Sequence, residues 1–166
     1  MAKITLKGNP INTSGNLPAV GDAAPDFSLT KNDLSEVSLA DFAGKTKILN
    51  IVPSLDTPVC ATSLRTFNQR ATANDDVVVI TVSRDAPFAQ KRFCETEGID
   101  RAISASEFRN RDFGPAYGMD IVDGPLAGFL GRAVVVVDGA NKVTYTELIP
   151  EIAQEPNYDA ALAAIG

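Results

Sequence analysis

Histidine is absent from this 166-residue chain, and cysteine occurs only twice, as Cys60 and Cys94. Without histidine, neither a Ser-His-Asp nor a Cys-His nucleophile can be assembled, and the common zinc and haem sites fall away as well. Two cysteines cannot build a metal site without help from carboxylates. Basic runs are also missing: 15 Lys and Arg are scattered singly among 21 Asp and Glu, for a net charge of −6. A surface of that sign repels phosphate backbones, so no nucleic-acid partner is expected. Long apolar runs are missing too. Stretches such as Ala133–Val137 are far too short to span a bilayer, and "MAKITLKGNP" lacks the apolar core of a secretory signal. A cytoplasmic protein with no membrane partner is expected, and there a disulfide between the two cysteines would be transient rather than structural.

What is present is the composition of an ordinary globular protein, 45% apolar and 22% charged. The length suits one domain over residues 1–166, and there are no repeats, low-complexity tracts or linkers. "KITLKGNPINTSGNLP" alternates like a strand pair around Asn-Pro and Ser-Gly-Asn turn signals, which predicts an N-terminal hairpin. "GDAAPDFSLTKNDLSEVSLADFAGK" reads as turn, short strand, turn, and a helical turn near residues 38–42 closed by Gly44. "TKILNIVPS" is a buried strand, and "TPVCATSLRTFNQRAT" a helix with Cys60, Leu64, Phe67 and Ala71 on one face. "DDVVVITVSRD" is a second buried strand. "APFAQKRFCETEG" is a second helix, with Asp85 expected as its N-cap and Gly98 as its stop. "SEFRNRDFGPAYG" predicts a short irregular helix, "RAVVVVDGANKVTYTELI" a hairpin through an Asp-Gly turn, and "EPNYDAALAAIG" a closing helix. The order β-α-β-α-(α)-β-β-α predicts an α/β, thioredoxin-like fold, a central mixed sheet flanked by helices.

The stretch "PSLDTPVC", residues 53–60, carries the chemistry. Thr57 is a favoured N-cap and Pro58 suits the first helical position, so Cys60 falls in the first turn. Free amides and the helix dipole place partial positive charge there, which favours a thiolate. An ordinary thiol is only ~3% ionised at pH 7. Making one mostly thiolate asks about 2.7 kcal/mol of its surroundings, and a helix end supplies ~0.3–2 kcal/mol. A second cation is needed, and without histidine it must be Arg or Lys. Arg65 lies about 140° around the helix from Cys60 and is poorly placed. Arg132, immediately before the buried strand, is the better candidate, although spacing alone equally allows it a carboxylate partner or an exit to solvent. A buried, inert cysteine is the default for a lone thiol, and the Thr-Pro cap weighs against it. A thioredoxin-type Cys-x-x-Cys is excluded because Thr57 occupies the first position. Only Cys94 remains as a thiol partner.

"PSLDTPVC" resembles the peroxidatic-cysteine motif of the peroxiredoxins, in the form used by the bacterial thiol peroxidase subfamily. "GDAAPDFSL" resembles the family's N-terminal segment and "PFAQKRFC" the subfamily's resolving-cysteine helix, while "FRNRDFGPAYG" and "GPLAGFLGRAVVVVD" also match its pattern. One departure is Thr81, where some members carry a further, non-catalytic cysteine. The resemblance implies a thioredoxin-like fold and thiol-dependent reduction of hydrogen peroxide and organic hydroperoxides, with alkyl hydroperoxides favoured. It makes Cys60 the peroxidatic nucleophile and Cys94 the resolving cysteine of an intramolecular disulfide, with Pro53, Thr57 and Arg132 at the remaining active-site positions. Thioredoxin is the implied reductant and a homodimer the implied assembly, with residues 108–111 contributing to its interface. No metal, haem or flavin cofactor is implied.

The physical roles agree with that reading. Thr57 accepts a helix amide and is expected to donate its hydroxyl toward the thiolate or a peroxide oxygen, Arg132 stabilises the anionic charge, and Pro53 withholds an amide and shields the pocket. Two alternatives stay open on the sequence: a dithiol oxidoreductase of protein disulfides, and a binding module with a structural Cys60–Cys94 bridge worth roughly 4 kcal/mol.

Overall fold

Continuous apolar runs build the centre of the molecule. In the computed structural model, which describes residues 1–71 and 73–165, nine strands and four α-helices are formed among the described residues. Thr72 and Gly166, the last residues of two segments read as helical, lie outside them. The strands are β1 (Lys3–Leu6), β2 (Asn9–Asn12), β3 (Leu29–Lys31), β4 (Glu36–Val37), β5 (Thr46–Ile51), β6 (Val77–Ser83), β7 (Ile103–Ser106), β8 (Ala133–Val137) and β9 (Val143–Leu148). The helices are α1 (Pro58–Arg70), α2 (Pro87–Glu97), α3 (Phe113–Ala116) and α4 (Tyr158–Ala163). A 3-10 turn over Leu39–Phe42 matches the expected helical turn, and Gly44 follows it at φ 84°.

The large sheet runs β4-β3-β7-β6-β5-β8-β9. Strands β5, β6 and β7 are parallel, and β3 and β8 are antiparallel to their neighbours, so the sheet is mixed as expected. Ile48, Val79, Val134 and Val136 pack on one face against Phe67 of α1 and Ala161 of α4. Leu49, Ile80, Val82 and Val135 pack on the other against Phe27, Phe113 and Tyr117. Burial on both faces is why these strands read as continuous apolar runs rather than alternating ones. Among the described residues, no helix is long and apolar enough to cross a membrane.

Three details differ from the expectations. Strand β7 was not foreseen, because Ser104 and Ser106 interrupt its apolar pattern; parallel pairing with β6 forms it, from Ile80–Ile103 to Ser83–Ser106. The N-terminal hairpin turns at Lys7 and Gly8, both at positive φ (51° and 80°), while Asn9 and Pro10 lie within edge strand β2. Asp85 does not cap α2: the N-cap is Ala86, with Pro87 in the first turn. Gly98 does end α2, at φ 67°, a left-handed position where glycine avoids the Cβ clash, and its N–H donates to the Cys94 carbonyl.

Candidate active site

Sheet register assembles the site. Ile51 at the end of β5 pairs antiparallel with Ala133 at the start of β8. The residue before β8, Arg132, therefore lies beside the loop that leaves β5 through Val52 and buried Pro53 toward α1. Val52 still donates to the Val82 carbonyl at 3.0 Å, and Pro53, with no N–H, ends the ladder there.

Thr57 is the N-cap of α1 in extended conformation, with Pro58 following, and its Oγ1 accepts from the Cys60 N–H at 3.4 Å. Its hydroxyl donates to the Ser54 carbonyl at 3.1 Å, not toward the sulfur as expected. Cys60 is fully buried among Val52, Leu55 and Leu64, with Phe93 and Ile99 against them. Arg132 meets its sulfur, Nη1 donating to Sγ at 3.0 Å, while Nε donates to the Ile152 carbonyl at 2.8 Å.

Arg132 is only 3% exposed, and among the described residues no carboxylate lies within ion-pair distance of it. Neither alternative left open by spacing, a carboxylate partner or an exit to solvent, is what this structure contains. A buried guanidinium without a counter-ion is costly, so a pocket of this kind suits an anionic group. Arg65 instead pairs with Glu97 of α2 at 2.8 Å, in a partly exposed ion pair.

Beneath the first turn lies a buried polar chain with a weak sequence signal, one asparagine inside an apolar strand. Asn50 Nδ2 donates to Ser63 Oγ and Thr81 Oγ1, each at 3.3 Å, and Ser63 donates to the Cys60 carbonyl at 2.9 Å. Asp85, expected as a helix cap, instead accepts from Ser54, Leu55 and Ser83.

Cys94 sits on the buried face of α2, 7% exposed, with its sulfur 3.2 Å from Ser104 Oγ of β7. Both cysteines are free thiols. Strands β6 and β5 separate β7 from β8, so the two thiols' partners stand on strands ~14 Å apart at the usual inter-strand spacing. A cavity of about 520 Å³ opens between the 55–58 loop and α2, lined by Leu55, Thr57, Pro58, Asp85 and Phe93 among others. Cys60 itself does not line it. No cluster of metal-ligating side chains occurs among the described residues.

The chain as a whole has known relatives. The family model described as Redoxin matches residues 19–162. A protein named thiol peroxidase from Mycobacterium tuberculosis is 60% identical over 166 residues, covering 100% of this chain and 99% of its own length. One from Leptospira interrogans, also named thiol peroxidase, is 52% identical over 166 residues, covering 99% of this chain and 97% of its own. The crystal structure of a peroxiredoxin-like protein from Aquifex aeolicus superposes with a TM-score of 0.93 at 42% identity, covering 99% of this chain and 96% of that one.

Proposed function

Since this chain belongs to the Redoxin family and, within the peroxiredoxins, to the thiol peroxidases, we propose that Cys60 is its peroxidatic nucleophile and Cys94 the thiol that resolves it. The observation that carries this reading is the Arg132 guanidinium, buried, 3.0 Å from the Cys60 sulfur and without a carboxylate partner among the described residues. A helix first turn and a guanidinium together supply what a histidine supplies elsewhere.

In the first step the Cys60 thiolate attacks one peroxide oxygen. An S–O bond forms, the O–O bond breaks, and two electrons pass from sulfur to the peroxide, which leaves as water or an alcohol after taking up a proton. Arg132 stabilises the charge developing on the oxygens. Thr57 holds the Cys60 amide, and Pro53 helps keep water out. The sulfenic acid then reacts with Cys94: an S–S bond forms, the S–O bond breaks, and water departs. A dithiol reductant, for which we assign thioredoxin, returns two electrons and two protons and regenerates both thiols. Hydrogen peroxide and organic hydroperoxides are the substrates, with alkyl hydroperoxides favoured by the apolar residues around Cys60 and in the neighbouring cavity. The protein works in the cytoplasm as a homodimer.

NADPH consumption with thioredoxin, its reductase and a series of hydroperoxides tests the reading. Peroxide-dependent turnover that needs all three components is expected. Reduction of protein disulfides without peroxide turnover would instead make this a dithiol oxidoreductase.

A further inference from the structure

Asp85 stands at the corner between β6 and α2, two residues before the helix that carries Cys94. Its carboxylate reaches across to the other cysteine's loop. Oδ1 accepts from Ser54 Oγ at 2.7 Å, and Oδ2 accepts from the Leu55 N–H at 2.8 Å and from Ser83 Oγ at 2.7 Å. The bonds continue in both directions. On the loop side, the Ser54 carbonyl accepts the Thr57 hydroxyl, and Thr57 Oγ1 accepts the Cys60 amide. On the helix side, fully buried Gln90 of α2 donates to Ser83 Oγ at 2.9 Å and to the Ala105 carbonyl at 3.2 Å, and Ser106 Oγ donates to the Asp85 carbonyl at 2.5 Å. Among the described residues no Lys or Arg forms an ion pair with Asp85. The hydrogen bonds from Ser54, Leu55 and Ser83 meet its carboxylate instead.

We propose that Asp85 is a positioning residue for the peroxidase reaction: it latches the 54–57 loop to the root of α2, holding Cys60 against Arg132 and opposing the opening that the Cys60–Cys94 disulfide requires. The inference rests on the disulfide mechanism proposed above. One carboxylate then acts with opposite sign on the two half-reactions. With the latch closed, the first turn of α1 is wound, Thr57 is fixed and the sulfur meets the guanidinium, which favours attack on peroxide. The same bonds must break before Cys60 can leave that turn and approach Cys94, so they slow resolution and leave the sulfenic acid exposed to a second peroxide for longer.

The test is single-turnover kinetics on reduced full-length protein with hydrogen peroxide, reading sulfenic acid and disulfide by quenched mass spectrometry. Asp85→Ala is expected to slow Cys60 oxidation and to speed disulfide formation, each by about tenfold, the weaker end of what one charge-assisted hydrogen bond contributes. Over-oxidation at high peroxide should fall as well. Ser54→Ala removes one of the three bonds to the Asp85 carboxylate, along with the Asp56 N–H bond to Ser54 Oγ, and should show the same split at smaller size; it decides the matter if Asp85→Ala loses its near-ultraviolet dichroism. A merely structural role would slow both steps or neither, and either pattern overturns the proposal. If wild-type protein forms no Cys60–Cys94 disulfide, the parent mechanism fails first, whatever the variants do.

Discussion

Cys60 and Arg132 form a pair in which each supplies what the other lacks. The chain has no histidine to set beside the sulfur, and among the described residues no carboxylate pairs with the guanidinium. Cys60→Ser should abolish peroxide reduction, because a hydroxyl there stays protonated and is a weak nucleophile; turnover above background in the coupled assay would remove Cys60 from the mechanism. Cys94→Ser should keep one fast oxidation but lose thioredoxin-linked turnover, and its mass after peroxide should show added oxygen instead of an internal disulfide. Arg132→Met keeps much of the stem's packing and removes the charge. It should slow peroxide attack by roughly tenfold or more, as expected for losing a hydrogen bond from a charged group. An unchanged single-turnover oxidation rate would remove Arg132 from the mechanism.

At the scale of elements, the two reactive helices are built differently. α1 starts on a Thr-Pro cap and is pinned just past Cys60 by Ser63, through Asn50 and Thr81, to the sheet. α2 is anchored near its start by Gln90 and ends soon after Cys94 at left-handed Gly98. A disulfide needs Cα atoms within about 7 Å, yet the sulfur partners stand on strands separated by two others. Oxidation should therefore unwind residues 57–61 and 93–97 while the strands stay in place. Hydrogen exchange should differ between reduced and oxidised protein mainly in those two segments. Equal protection in both states would mean that no such rearrangement occurs.

At the scale of the molecule, the N-terminal hairpin supports the site from behind. Thr5 of β1 exchanges backbone hydrogen bonds with Pro150 and Ile152, and Ile152 also holds Arg132 Nε by its carbonyl. Ile4 and Ile11 bury themselves against Ile121 and Ile152. Ile4→Ala should cost about 2–5 kcal/mol of stability by leaving a cavity, read as a lower denaturant midpoint at unchanged slope; an unchanged midpoint would make the hairpin a dispensable appendage. Phe108 is 49% exposed beside charged Arg109 and Arg111. If residues 108–111 lie in the proposed dimer interface, Phe108→Asp should yield monomers in sedimentation equilibrium where the wild type gives dimers. A wild-type monomer would refute the assembly itself.

The local elements were legible in residue order because local forces decide them. A Thr-Pro cap, helical spacing of Cys60, Leu64 and Phe67, and Gly98 beyond Cys94 state where helices begin, face and stop, and the apolar runs state which strands are buried. The motif around Cys60 was legible for the same reason, since its residues are neighbours in the chain. Arg132 could be nominated from the sequence but not placed. Only the Ile51–Ala133 register brings it to the sulfur, 72 positions away. Strand β7 escaped notice because its serines satisfy themselves against Cys94 and the Asp85 carbonyl, contacts that exist only once the sheet has formed. Asp85 was misread for a related reason. A carboxylate just before a helix is by local rules a cap, but here three donors from the 54–55 loop and Ser83 outbid the helix amides. Sequence alone singled out the two thiols proposed to react; tertiary pairing decided what surrounds them, because desolvation and counter-charge are properties of distant segments brought together.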